Sequence, residues 1–402
     1  MRILMINKFL YRRGGAETYM LDLAAELEKH GHTIEYFGME DEQNIVGNSL
    51  GLGTRNVDFH QKSLKNLTYP ATIIYSREAR DKIRQVIQEF KPDIAHLNNI
   101  NFQITPVIID VLYEEGIPIV MTAHDFQLIC PNHLLYIPQD REICVKCTDM
   151  LSLDCISRKC IHESLPKSII GYMEAALYRN RDTYNRIDCL ICPSRFMKRA
   201  LDKQERFNGK TVFLRNFSRN YPEKQVEKED YILYFGRFYE EKGLRQLTEA
   251  MQGLPDIPMI AAGSGPLEPI FEQAPNITCV GYKNGEELED LIRKARFSVY
   301  PSSWYENCPL SIIESQKLGT PCLATGIGGM KELVGSENVI HGTSPESIRE
   351  AIRSLWDDRE RLSIMEAELG ERIASYPNIV DYAKKIEEIY CHVQSNYRNH
   401  SA

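Results

Sequence analysis

The chain has 402 residues, 43% hydrophobic and 26% charged, with 24 glycines and 19 prolines; this ordinary globular usage excludes disordered, collagen-like and coiled-coil chains and leaves room for two or three domains. Forty-eight basic against 56 acidic side chains give a formal charge of −8, which excludes bulk attraction to nucleic acid and requires any anionic ligand to be gripped locally. No run approaches the roughly 18 apolar residues of a membrane span, Asn7 and Lys8 interrupt the opening before a secretory core is complete, and eleven cysteines fit thiols or a metal site in a cytoplasmic protein better than disulfides.

In chain order, RILMIN reads as a strand and Gly14-Gly15 as a loop; Met20, Leu23, Ala24 and Leu27 follow at helical spacing, with Gly31 as a stop. TIEYFGM, KPDIAHLN, IPIVMTAHD and DCLICPS are further short apolar strands between helix-like segments, the pattern of a parallel sheet with crossovers. The polar stretch from Ser218 to Asp230 has no apolar period and reads as a linker. Alternation then restarts with YILYFGR, IPMIAAGSG, ITCVGYK, FSVYPSS and PCLATG. Two α/β sheets in tandem are expected, their strand ends facing a deep cleft. The boundaries read as 1–205 for the first domain, 206–377 for the second, and about 378–402 for a helix returning to the first.

Three segments carry chemistry. Around Gly14 and Gly15, backbone N–H groups can approach a phosphate beside a helix start, although the pair serves equally as a plain turn and lacks dinucleotide-binding spacing. In FGRFYEEKGL, Arg237 and Lys242 follow a strand; two fixed cations suit a diphosphate leaving group, against the alternative of solvated charges beside Glu240 and Glu241. In YPSSWYENCPLSIIESQKLGTPCLATGIGG, Glu306 lies in a loop and Glu314 on the helix beginning near Pro309. A loop carboxylate can hold sugar hydroxyls, a helical one a ribose diol, and the N–H groups of Asn307, Cys308, Pro309's neighbour Leu310 and the first turn can face phosphate. A capped, salt-bridged helix start is the plain alternative.

Between about 130 and 162 lies a cysteine-rich insertion. Cys144, Cys147, Cys155 and Cys160 have a spacing that suits a structural zinc site, with iron–sulfur ligation, reduced thiols and a redox disulfide as the other readings. The next segment interleaves Lys167, Arg179, Arg181 and Arg186 with Tyr172, Tyr178 and Tyr184. It reads either as a helix resting on anionic lipid or as a domain helix with a solvated face.

The order GRFYEEKG, GSGP and PSSWYENCPLSIIESQKLGTPCLAT, preceded by KFLYRRGGAETYMLDLAAELEKHGH, TAHD, ICPS and LRN, resembles the retaining glycosyltransferases of family 4, within them a subset with cysteine-rich insertions. The resemblance implies an α/β GT-B fold: two facing Rossmann-like domains with an interdomain cleft and a C-terminal helix packed back on the first. It implies transfer of a sugar from a nucleotide-diphosphate donor to a hydroxyl of a glycan or polyprenyl-linked acceptor, with retained configuration and no essential catalytic metal. Arg237 and Lys242 would bind the diphosphate, Glu306 the donor sugar and Glu314 the ribose, while Gly14 and Gly15 approach the phosphates and His124 of TAHD contacts the sugar at the reacting centre. Asn99, Asn101 and His96 would shape the acceptor side.

The chain departs from the family in reading Glu306-Asn307-Cys308-Pro309 where many relatives read Glu-Gly-Phe-Gly, which bears on donor-sugar preference. The expected role is cell-surface polysaccharide assembly in the cytoplasm, with peripheral contact at an anionic inner membrane face and no nucleic-acid partner. A GT-B nucleotide-sugar epimerase and a non-catalytic, metal-stapled nucleotide-binding scaffold are the alternatives.

Overall fold

Short apolar runs form the strands of two parallel sheets, and the computed structural model of the protein describes them within residues 1–56, 69–222, 224 and 226–401. The first sheet contains β1 (Arg2–Ile6), β2 (Thr33–Phe37), β3 (Ile94–Leu97), β4 (Ile119–Thr122), β7 (Cys189–Cys192) and β8 (Thr211–Phe213). Its order is β2-β1-β3-β4-β7-β8. The second contains β9 (Ile232–Arg237), β10 (Met259–Ser264), β11 (Ile277–Gly281), β12 (Phe297–Tyr300), β13 (Cys322–Thr325) and β14 (Val339–Ile340), in the order β11-β10-β9-β12-β13-β14. A small antiparallel hairpin joins β5 (Tyr136–Ile137) to β6 (Glu142–Ile143). IAHL, IVMT, CLIC, FSVY and CLAT are buried along their whole length, as expected of strands covered on both faces.

Crossovers of the first sheet include α1 (Gly15–Lys29), α2 (Tyr69–Ile74), α3 (Arg77–Phe90), α4 (Val107–Glu114), α5 (Asp154–Ser157), α6 (Leu165–Asn180) and α7 (Arg195–Asp202). Ser76, Ser164 and Ser194 start three of them by accepting an N–H of the first turn. The second sheet is accompanied by α8 (Leu244–Gln252), α9 (Gly285–Lys294), α10 (Leu310–Lys317), α11 (Lys331–Val334), α12 (Pro345–Asp357) and α13 (Arg359–Ala374). The chain ends in α14 (Ile379–Ser401). None of the described helices is long and apolar enough to cross a membrane.

Two units result: Met1–Leu135, Cys144–Arg215 and Ile379–Ala402 in one, Tyr136–Ile143 and Asn216–Asn378 in the other. The first unit extends beyond 205 because β8, three residues long and therefore without a legible period, pairs with β7 as the edge strand. The β5–β6 hairpin, unannounced by the sequence, clusters with the second unit.

Helix α14 packs back on the first unit through Tyr382, Ala383, Ile386, Tyr390 and Val393, all buried. A chain of hydrogen bonds fastens it. The Tyr382 and Tyr19 hydroxyls meet at 2.8 Å, Tyr19 meets Thr122 Oγ1 at 3.0 Å, Thr122 meets His96 Nε2 at 2.8 Å, and His96 Nδ1 meets the Tyr390 hydroxyl at 2.6 Å. The path therefore leaves α14, crosses α1, β4 and β3, and returns to α14. Burial, with His124 adding repulsion, pushes His96 down to about 3, so the ring is neutral and offers one donor and one acceptor. His96 is thus a structural clamp within the first unit.

Candidate functional site

In the second sheet the chain runs from β9 to β10 and β11 on one side, then returns to β12 and continues to β13 and β14 on the other. The reversal lies at the carboxyl ends of β9 and β12, where open α/β sheets bind ligands. Arg237 ends β9, a single 3-10 turn spans Glu240–Lys242, and Gly243 follows at φ 70°. A Cβ on Gly243 would lie 2.0 Å from the Pro301 carbonyl oxygen, so only glycine lets this turn reach the loop after β12. Ser303 N–H donates to Glu241 O at 2.9 Å and holds the two loops together.

That contact brings Lys242 Nζ to 2.5 Å from Glu306 Oε1, with 17% and 10% of the two side chains exposed. Ser302 Oγ donates to the same carboxylate oxygen at 3.0 Å. The loop after β13 closes the arrangement from behind: Thr325 Oγ1 donates to Ser302 O at 2.6 Å and Gly329 N–H to Glu306 O at 2.7 Å. Gly328, at φ 69°, lies so near that a Cβ would be 2.2 Å from Glu306 O. Burial alone would raise the Glu306 carboxyl; the Lys242 ammonium and its hydrogen bond outweigh it and hold the group below the ordinary glutamate range. Lys242 also sits 5.3 Å from the centre of the Trp304 ring.

Arg237 remains 59% exposed, 3.6 Å from Glu241 and over the Tyr239 ring. Asn307 and Cys308 are buried at the entry to α10, and Pro309 caps it ahead of Leu310. Thus Lys242, Glu306 and the start of α10 come together, whereas sequence reasoning assigned Lys242 and Glu306 to separate groups of a ligand.

Glu314 lies one turn into α10, half-buried. Burial pushes its carboxyl up to about 7, although the Arg219 guanidinium and the Tyr221 hydroxyl pull the other way and Glu289 adds repulsion. Arg219 and Tyr221 belong to the stretch read as a linker; an arginine and a tyrosine beside Pro222 were the available signal. A carboxyl raised above its ordinary value of 4.5 binds a proton more tightly in the folded chain than in the unfolded one. Its contribution is full below the unfolded value and is lost as pH rises through about 7. Glu314→Gln is therefore expected to flatten the decline in melting temperature between about pH 5 and 8, measured on ligand-free protein. An unchanged slope would refute this account.

In the first unit, His124 follows β4. Its Nε2–H donates to Asn98 Oδ1 at 2.8 Å, and its ring meets Tyr19 of α1 edge to face at 4.9 Å. Burial pushes His124 down to about 3, so it acts as a neutral hydrogen-bonding group. Gly14 is extended and Gly15 opens α1, four residues before Tyr19.

In the cysteine segment the thiols meet backbone carbonyls and one another. Cys147 Sγ donates to Ser152 O at 3.7 Å and Cys160 Sγ to Asp154 O at 3.8 Å, while Cys155 is hydrogen-bonded to Cys160. Burial pushes the Cys147 thiol up, and contact with Cys160 followed by burial does so for Cys155. Among the described residues no group of three or more His, Cys, Asp or Glu side chains is placed to hold a metal ion.

The basic residues after it also turn inward. Arg179 donates to the carbonyls of Ile129 and Cys147, Arg181 and Arg186 both pair with Asp110, and Tyr178 and Tyr184 are buried. The exposed face of α6 carries Leu165, Ile169 and Met173 instead.

Residues 13–217 match the family model Glycosyltransferase Family 4, and residues 218–373 match Glycosyl transferases group 1. The chain is 24% identical over 351 residues to an uncharacterized 42.6 kDa protein in the cps region of Klebsiella pneumoniae, covering 83% of this chain and 87% of that one. It is 26% identical over 172 residues to the Escherichia coli UDP-Gal:alpha-D-GlcNAc-diphosphoundecaprenol alpha-1,3-galactosyltransferase, covering 39% of this chain and 43% of the relative. The structure of Anabaena HepE in complex with UDP and glucose superposes with a TM-score of 0.67 at 15% identity, over 97% of this chain and 99% of the other. The fold is GT-B.

Proposed function

The chain belongs to glycosyltransferase family 4, and from that premise we propose that it transfers a sugar, with retained configuration, from a nucleotide-diphosphate donor to a hydroxyl of a glycan or polyprenyl-linked acceptor. The observation that carries this reading is the Lys242–Glu306 pair at the second sheet's reversal point, with Arg237 beside it. On arrival of the donor, Lys242 and Arg237 hold the diphosphate and neutralise the charge that grows on it as the sugar departs. Glu306, kept ionised, accepts hydrogen bonds from the donor sugar, and the backbone of Asn307 to Leu310 faces the phosphates beside Pro309. Glu314 receives the ribose hydroxyls. His124 touches the donor sugar as a neutral donor, and Gly14 and Gly15 leave room for the phosphates at α1.

The acceptor oxygen bonds to the anomeric carbon on the face that the diphosphate leaves. A donor phosphate oxygen takes the acceptor's proton, so the chain needs no base of its own for that step. The proposed pathway is cell-surface polysaccharide assembly, in keeping with the diphosphoundecaprenol-linked sugar in the name of the E. coli relative. Donor identity is read by thermal shift with a panel of nucleoside diphosphates and nucleotide sugars, since a ligand that binds only the folded chain stabilises it by mass action. The anomeric configuration of the product is then read by NMR. Stabilisation by no member of the panel, inversion, or donor epimerisation without an acceptor would each overturn the reading.

The same proposal places the protein in the cytoplasm, resting on the inner membrane face through Leu165, Ile169 and Met173 of α6. Ile169→Glu is expected to reduce co-flotation with anionic vesicles several-fold, because it puts a charge into the apolar contact. Equal flotation of variant and parent would remove the membrane contact while leaving the transfer reaction untouched.

A further inference from the structure

Trp304 lies two residues before Glu306, on a loop after β12 that is pinned from both sides. Ser303 N–H donates to Glu241 O at 2.9 Å, and Ser302 O accepts from Thr325 Oγ1 at 2.6 Å. Half-buried there, the Trp304 ring has the Lys242 ammonium 5.3 Å from its centre, while the same ammonium holds Glu306 Oε1 at 2.5 Å. An aromatic face attracts a cation and keeps water from it. By its ring alone Trp304 would be a cover for the ion pair, a role that phenylalanine could also fill.

The indole N–H sets tryptophan apart. Trp304 Nε1 is buried with no well-formed hydrogen bond among the described residues, an unfavourable state for a donor in the ligand-free chain. It nevertheless lies near enough to the Glu306 carboxylate to join Lys242 and Ser302 in holding that group ionised. The carboxylate therefore has its strong partner in place and a second donor standing beside it. In the reaction proposed above, Lys242 answers to two anions, Glu306 and the diphosphate. As the ammonium is drawn to the phosphates its hold on Glu306 loosens, and burial then favours protonation of the carboxyl. A protonated Glu306 would have given up acceptor capacity that the sugar hydroxyls need.

We propose that Trp304 is a positioning residue that takes over Glu306 from Lys242: when the diphosphate arrives, Lys242 Nζ turns from the carboxylate to the phosphates, and the indole N–H closes a hydrogen bond to the carboxylate left behind. No covalent bond changes in this exchange. It rests on the transferase reading and goes beyond it by assigning Trp304 a part in donor binding.

UDP and GDP are the probes, titrated into the whole protein. Trp304→Phe keeps the aromatic face and lacks the N–H. Its melting temperature without ligand is expected to equal or exceed the parent's, because an unpaired donor has been removed. Its affinity for the nucleotide that binds the parent is expected to fall about tenfold, the size of a hydrogen bond to a charged group. The chain has two tryptophans, and the other, Trp356, carries the Arg296 guanidinium 3.7 Å from its ring centre, so that in Trp356→Phe the indole emission reports Trp304 alone. Saturating nucleotide is expected to shift that emission to the red as the N–H engages the carboxylate. Unchanged affinity in Trp304→Phe, a loss of ligand-free stability that matches its loss of affinity, or no emission shift in Trp356→Phe would overturn the proposal. Should Trp304→Phe fail to fold, the emission of Trp356→Phe decides. Binding of neither nucleotide to the unaltered protein would instead remove the diphosphate site itself, and with it both the proposed function and this exchange.

Discussion

Lys242→Met is expected to reduce sugar transfer by about 10²–10³-fold, the size of effect seen when a preorganised electrostatic contact to a developing charge is removed. It should also destabilise the protein by about 3–5 kcal/mol, because a buried carboxylate loses its partner. Glu306 cannot simply turn to water: its side chain is 10% exposed, and the loops after β9, β12 and β13 hold its backbone. The double variant Lys242→Met with Glu306→Gln separates the two effects. Removing both charges should recover most of the lost stability in urea unfolding and none of the activity. Stability losses that simply add in the double variant would show that the two groups do not depend on each other. Full activity in Lys242→Met would remove the lysine from the diphosphate site.

The second large effect concerns α14. Tyr390→Ala is expected to cost about 3–5 kcal/mol for truncating a buried aromatic, with a further 1–3 or so for the His96 nitrogen left unpaired. Net domain stability is only about 5–15 kcal/mol, so the first unit should be unfolded or nearly so at physiological temperature. Tyr390→Phe keeps the ring's packing and removes only the hydroxyl that meets His96 at 2.6 Å, so it should cost the smaller share. Guanidinium unfolding of the three proteins checks both values. A loss below about 1 kcal/mol in Tyr390→Ala would mean that α14 does not brace the unit, whatever its burial.

The parallel sheets were legible because strands covered on both faces are mostly apolar, and IVMT, CLIC, FSVY and CLAT are buried along their whole length. The start of α10 was legible from Pro309 and the apolar run after it. Elements without a period were not. The edge strand β8 is three residues long, and each strand of the β5–β6 hairpin has two. Arg219 and Tyr221 were hidden in a polar stretch because nothing local says that Glu314, almost a hundred positions later, lies beside them. In the basic, tyrosine-rich segment the pairing of charges was hidden for a related reason. Asp110 on α4 pairs with Arg181 and Arg186, which follow α6, and the spacing of that segment carries no trace of a partner on another element.

The order of strands and helices, the glycines that allow the loops to meet, and the residue types available for chemistry are properties of the chain itself. They follow from apolar periodicity and backbone sterics, which act over a few residues. Which charges pair, which remain ionised and which acids take up a proton were decided only when distant segments packed. Glu306 stays charged because the turn after β9 delivers Lys242 to it, whereas Glu314, eight residues away on the same stretch, is pushed to about 7 by burial that its neighbours do not offset. Desolvation and Coulomb interaction depend on the groups within a few ångströms, and only the folded chain says which those are.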